Sequence, residues 1–218
     1  MKYQALPNFQ SYQILVFDLD GLIIDSLNDL SKCLVGAVSN YASESELDAF
    51  QKYDIKNPGA SRFTKVDYFL QEITQERDPD PKRIEILNDF AERSFYARKN
   101  AQISSGFEKF VIRYQNLRHI LLSNCDNSQI VAVSEHHGIT KYFNSGIIGT
   151  PPSKELRAEA IRSEFPDSQI LSLSDSESDA VIARKSNFDF LYINEFARGC
   201  EPWILENEYR VESFSSCI

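Results

Sequence analysis

No stretch of this sequence approaches the roughly 20 consecutive apolar residues that a membrane-spanning helix requires; its apolar runs are strand-length. Met1 to Ser11 is polar, which predicts neither a secretory signal nor a membrane anchor, so a cytoplasmic protein that does not engage membranes is expected. Cysteine is sparse. Cys33, Cys125, Cys200 and Cys217 are widely spaced, with neither a CxxC pair nor Cys/His zinc spacing, and read as reduced thiols rather than a disulfide or zinc framework. Positive charge is in deficit, at 23 Lys and Arg against 32 Asp and Glu. A formal charge of −9 does not supply the clustered basic surface that neutralises a phosphate backbone, so nucleic acid is not expected as a partner. Fixed-period repeats and low-complexity tracts are also absent.

What remains is the composition of an ordinary globular chain. With 42% hydrophobic, 12% aromatic and 25% charged residues, the 218-residue chain can bury a core, either as one large domain or as a core with a smaller insert. Gln13 to Phe17 is a β-branched and aromatic run that suits a strand buried on both faces of a parallel sheet, and it ends at Asp18. Gly21 marks a tight turn, and a helical pattern starts near Ser26.

From Leu27 to about Asn100 the periodicity is helical throughout. Leu27, Leu30, Leu34 and Val38 share one face, as do Phe63, Val66, Phe69, Leu70 and Ile73. Asp80 and Pro81 read as an N-cap and first-turn proline, opening a helix that turns Ile84, Leu87, Phe90, Ala91 and Phe95 inward. After Ser105 and Gly106, strands alternate with helices, the signature of βαβ units. The predicted strands are His119 to Ser123, Ser145 to Ile148, Gln169 to Leu173 and Phe188 to Ile193. Helices are predicted near Asn127 to His137, Lys154 to Glu164 and Ser176 to Lys185. The expected architecture is α/β, a Rossmann-like parallel sheet formed by residues 1–26 and 102–218, with an all-helical cap domain inserted at 27–101.

In open α/β sheets, reactive groups sit beyond the carboxyl ends of strands. The first strand delivers Asp18 and Asp20, the second Ser123 and Asn124, and the fourth Asp175 and Asp179, while Lys154 opens the helix after the third. The segments DLDGLIIDS, LLSN, a lone lysine before a helix, and SDSESD resemble, in this order, the four motifs of the haloacid-dehalogenase-like superfamily. The helical insert after the first motif resembles the cap of the subgroup containing phosphoglycolate phosphatase and β-phosphoglucomutase. Singly, each motif reads as a turn, a helix cap or a surface lysine; four in order at strand ends point to a site.

The resemblance implies a Mg²⁺-dependent phosphatase acting on a small phosphorylated metabolite, plausibly a sugar phosphate, as a monomer or homodimer. Phosphate dianions repel an anionic nucleophile, so a carboxylate attacks only with cationic help. Asp18 is then the nucleophile and becomes an aspartyl-phosphate, while Asp20 acts as acid and base. Asp18, Asp175 and, through its backbone carbonyl, Asp20 would hold the metal, with Asp179 orienting metal-bound water or Lys154. Ser123 and Lys154 would engage the phosphoryl oxygens, and Gly21 and Asn124 would lie against substrate. In the cap, Asn57 to Lys65 places Gly59 before a helix bearing Arg62 and Lys65. These two cations are expected to touch substrate, and the same stretch reads equally as a plain helix cap with Ser61 as N-cap.

The chain departs from the pattern in places. Position 174, usually glycine in that family or glutamate in some mutases, is Ser174, and no proline follows Lys154 although Pro151 and Pro152 precede it. Lys141 is a rival lysine but falls before the third predicted strand. Asp20 separates the chain from the dehalogenases, and the cap offers no identifiable Schiff-base lysine for phosphonate cleavage. A phosphomutase, or a binding protein that keeps the fold without the chemistry, are the alternatives.

Overall fold

The computed structural model describes residues 6–57, 60–198, 204–205 and 208–218; Gly59, Cys200 and the start of the tail at Glu201 lie outside them. In chain order the elements are β1 (Ile14–Phe17), α1 (Leu27–Val38), α2 (Glu44–Lys56), α3 (Arg62–Tyr68) and α4 (Pro79–Asn100). There follow α5 (Phe107–Arg113), β2 (Arg118–Asp126), α6 (Asn127–His136), β3 (Ile147–Thr150), α7 (Lys154–Glu164), β4 (Ile170–Ser174), α8 (Glu177–Lys185), β5 (Asp189–Ile193) and β6 (Tyr209–Val211). The chain forms two compact units, one of Met1–Asp25 with Ala101–Ile218 and one of Ser26–Asn100. No helix among the described residues is long and apolar enough to cross a membrane.

The first unit is an α/β fold around a six-stranded sheet of order β3-β2-β1-β4-β5-β6, in which every pairing is parallel. Its central strand β1 is buried at every position, as a strand covered on both faces must be. Alternation divides its side chains. Ile14 and Val16 join Ala158 and Ile161 of α7 and Ala180 and Ala183 of α8 in one apolar cluster. Phe17 points the other way, its ring 5.4 to 6.4 Å from those of His119, Phe143, Phe110, Phe107 and Phe214. Burial of each such phenyl group stabilises the fold by roughly 2 to 3 kcal/mol.

The sequence reading anticipates five strands, and β6 is the sixth. Tyr209-Arg-Val211 is too short to show periodicity, and only pairing with β5 makes it a strand. The third strand lies at Ile147–Thr150 rather than at Ser145 to Ile148. It continues through Gly149 because a side chain there would meet the Cys125 carbonyl oxygen at 2.6 Å, a close approach that glycine alone permits. The C-terminal turn Phe214–Cys217 belongs to this unit's core: Phe214 is fully buried and Tyr114 donates to the Cys217 carbonyl.

The second unit is helical throughout its described residues. Its core gathers Leu34, Ala37 and Val38 of α1, Phe50 of α2, Val66 of α3, Ile86 and Phe90 of α4, and Phe69 and Leu70 of a short π-helical turn. Ser43 and Glu46 close a reciprocal capping box at the start of α2. Three details differ from expectation. Helix α4 begins at Pro79, so Asp80 lies in its first turn rather than at its N-cap. Ile84 is 58% exposed, because the buried line of α4 runs through Ile86, Phe90, Ser94 and Arg98 at intervals of four. Ile84 lies about 200° around the helix from Ile86. Phe63 is 39% exposed and serves as a platform for the Arg62 guanidinium, 4.6 Å from its ring centroid.

Candidate active site

The strand order reverses direction between β1 and β4, and clefts in open α/β sheets form at the carboxyl ends of strands flanking such a point. Asp18 follows β1 there, its amide bonded to the Leu173 carbonyl of β4 at 3.1 Å. Asp175 follows β4 immediately and is buried. Two residues past Asp18, Asp20 bridges to Ile24, in a turn closed by Gly21 N–H donating to the Ile24 carbonyl at 2.9 Å. Gly21 has φ +83°, a left-handed conformation that favours glycine.

On the other side of β1, Ser123 and Asn124 lie within β2, which extends further than expected. The Ser123 hydroxyl is buried and accepts the Cys125 amide at 3.1 Å, while Asn124 is exposed and its carbonyl accepts from Thr150. Lys154 is the first residue of α7, capped by the Ser153 hydroxyl, which accepts the Leu156 amide. Asp179 sits in the first turn of α8, where Ser176 caps its amide.

Three of these residues meet: Asp18, Lys154 and Asp179; the Ser123 hydroxyl and the Asn124 carbonyl make the local bonds just described. Lys154 Nζ donates to Asp18 Oδ1 at 2.8 Å and to Asp179 Oδ2 at 2.8 Å, with all three side chains nearly buried. The rival Lys141 lies at the surface, 3.9 Å from Glu108. One contact was not legible in the sequence: the Ser174 hydroxyl, at the end of β4, also donates to Asp179 Oδ2. Asp179 Oδ1 is buried and has no hydrogen-bond partner among the described residues.

The electrostatics follow from burial. Desolvation raises the Asp18 carboxyl from its ordinary 3.8 to about 7 despite the attraction of Lys154, with the charges of Asp179 and Asp20 adding to the rise. Desolvation and the neighbouring Asp18 and Asp179 likewise push Asp175 well above the carboxylate range. Burial alone would discharge Lys154, but its two carboxylate partners outweigh that and hold it firmly protonated. Asp18 and Asp179 thus share one ammonium, and buried Asp175 adds a third carboxyl that feels their charge.

That imbalance fits a hard divalent cation. Among the described residues no three His, Cys, Asp or Glu side chains are already gathered as a ligand set. Mg²⁺ does not need one, since it is typically held by one or two carboxylates and keeps several waters. Asp18 and Asp175 supply hard oxygens on adjacent strands, and the unpartnered Asp179 oxygen is an acceptor for metal-bound water.

A pH dependence follows. Below about pH 4 both folded and unfolded chains hold the Asp18 proton, and between about 4 and 7 only the folded chain does, so stability falls as pH rises through that window. Metal-free protein is expected to melt at a lower temperature at pH 8 than at pH 5, with millimolar Mg²⁺ restoring more stability at pH 8. Calorimetry with and without EDTA measures both; a Mg²⁺ effect equal at the two pH values would contradict this assignment.

In the helical unit the expected pair of substrate cations divides. Lys65 is buried, and its ammonium bonds Asp54 Oδ1 at 2.6 Å, so it is not offered to substrate as expected; a buried ammonium needs such a partner. The Ser31 hydroxyl donates to the other oxygen of Asp54. Arg62 opens α3, whose N-cap is Ser61, with the hydroxyl accepting the Thr64 amide at 3.1 Å.

Among solved structures, a hydrolase of the haloacid-dehalogenase-like family from Streptococcus pneumoniae superposes with a TM-score of 0.73, over 95% of this chain and 97% of its own, at 14% identity. The chain has the haloacid-dehalogenase-like fold. Two further structures of this fold are β-phosphoglucomutase from Clostridium difficile and CbbY from Rhodobacter sphaeroides in complex with phosphate. The first has a TM-score of 0.72 at 16% identity, covering 94% and 92% of the chains. The second has 0.70 at 13%, covering 94% and 95%. No family model and no curated protein matches the sequence. At these identities the likeness establishes the haloacid-dehalogenase-like fold alone.

Proposed function

We propose that the protein is a Mg²⁺-dependent phosphatase that hydrolyses a small phosphorylated metabolite, of the sugar-phosphate class, through an aspartyl-phosphate on Asp18. The observation that carries this reading is the Asp18–Lys154–Asp179 chain at the end of the central strand, where an acid raised to about 7 faces a firmly charged ammonium. Solved structures of the same fold that are named as a hydrolase and as a phosphomutase favour phosphoryl chemistry.

In the proposed reaction Asp18 attacks phosphorus and the ester oxygen leaves with a proton from Asp20. Lys154 stabilises the charge that develops on the phosphoryl oxygens, and the Ser123 hydroxyl donates to one of them. Asp20 then takes a proton from water, which attacks phosphorus and releases inorganic phosphate and free Asp18. Asp18, Asp175 and the Asp20 carbonyl would hold Mg²⁺, which would supply the positive charge that keeps Asp18 ionised and screens the phosphoryl dianion. Asp179 holds Lys154 in place, while Gly21 and Asn124 line the approach of the phosphate. Arg62 of the helical unit is proposed as a substrate contact. The site is proposed to work in the cytoplasm, as a monomer or homodimer, on neither nucleic acid nor membrane.

Incubation of the purified protein with a panel of phosphorylated metabolites is expected to release inorganic phosphate with Mg²⁺ and to fail with EDTA. Isomerised sugar phosphate without net release would make the protein a mutase instead. No turnover of any kind, with no Mg²⁺ binding at millimolar concentration, would leave a fold without the chemistry.

A further inference from the structure

We infer that Ser174 is a positioning residue that fixes the Asp179 carboxylate for the cation, a role that rests on the proposed Mg²⁺-dependent reading. A serine hydroxyl at a strand end commonly bonds nearby backbone, and here it reaches instead to a side chain five residues on. Ser174 pairs with Tyr192 in the sheet and is buried, so its hydroxyl projects from a rigid strand rather than from a loop.

The consequence is orientational. The terminal torsion of an aspartate is broad and two-fold, so a carboxylate held by a single donor exchanges its two oxygens readily. With Lys154 alone on Oδ2, Asp179 would be free to turn about that bond, and the ammonium would follow it. A second donor on the same oxygen, carried by β4, removes this freedom. Two things are then determined together. Oδ1 is left as the open acceptor of a buried carboxylate, and Lys154 is kept midway, at 2.8 Å from both Asp179 and Asp18. Outer partners of this kind hold a metal environment in register without touching the metal, and their loss typically weakens metal affinity about 10- to 100-fold.

The test compares wild type with S174A, which removes only the hydroxyl oxygen, and S174T, which retains a hydroxyl. Mg²⁺ binding is followed by titration calorimetry and by the metal-induced rise in melting temperature, with CD confirming the fold of each variant. The expected result is a Mg²⁺ affinity weakened about 10-fold or more in S174A and close to wild type in S174T. Phosphatase activity in S174A should recover largely at saturating Mg²⁺, so that the defect lies in the metal requirement rather than in kcat. A lower melting temperature for S174A with unchanged Mg²⁺ affinity would assign Ser174 to packing and overturn the inference. Equal weakening in S174A and S174T would overturn it also. Wild type that binds no Mg²⁺ would refute the proposed function itself, and with it this role; wild type that binds while S174A binds equally refutes the role alone.

Discussion

Asp18→Asn is expected to abolish phosphate release, by a factor on the order of 10⁴ or more, while the protein stays folded. An amide of nearly the same shape cannot attack phosphorus, so the covalent route closes. Stability should move in the opposite direction. Asp18 is an acid whose ionisation is opposed by burial, and an uncharged side chain relieves that cost at neutral and alkaline pH. The variant should therefore melt at or above the wild-type temperature at pH 8 in EDTA, and should lose much of the pH slope between 5 and 8. Activity assays and calorimetry on one preparation separate a lost nucleophile from a damaged fold. Retained turnover in a folded Asp18→Asn protein would contradict the assignment.

Lys154→Met should damage both stability and activity. Methionine matches the stem of lysine but leaves Asp18 and Asp179 facing each other in a buried site with no counter-ion. Removing one partner of a buried ion pair typically costs about 3 to 5 kcal/mol. The loss should be largest near pH 8 and smaller near pH 5, because the Asp18 carboxyl, already raised by burial, takes up a proton as pH falls. Activity should drop about 10²- to 10³-fold at saturating Mg²⁺, the usual effect of losing one electrostatic contact to the transition state. Denaturant unfolding at the two pH values, paired with kinetics, measures both effects. A variant as stable as wild type at pH 8 would show that Lys154 is not the counter-ion that holds this cluster.

Asp18, Ser123 and Asp175 could be located in the sequence because each follows an apolar run that reads as a buried strand. Gln13 to Phe17 reads as such a strand, and its parallel pairing with β2 and β4 sets Asp18, Ser123 and Asp175 toward the same end of three neighbouring strands. Lys154 was legible by its place before a helix, and its selection over Lys141 depended on the position of the third strand. The errors arise where tertiary contact overrides local pattern. Arg-flanked Phe63 has the spacing of a core residue, yet it lies under a guanidinium at the surface. Lys65 looks like an available cation until Asp54, eleven residues earlier, is seen to neutralise it within a buried core.

Strand β6 and the C-terminal turn carry too few residues for any period, and only long-range contacts with β5 and Phe17 define them. Ser174 is the instructive case among the site residues. From the sequence it is only a departure from the resembling family's pattern. In the folded chain its hydroxyl meets Asp179, a bond that depends on the angle between β4 and the first turn of α8.

The central claim is that Asp18 carries the phosphoryl group during turnover. Acid quenching of the enzyme during hydrolysis of a substrate found in the panel, followed by borohydride reduction of any acyl phosphate and peptide mass spectrometry, addresses it directly. The account predicts conversion of residue 18 to homoserine in wild type, dependent on Mg²⁺ and on substrate. Phosphate release with residue 18 unmodified at every quench time, or a phosphoryl group found on a different side chain, would contradict it.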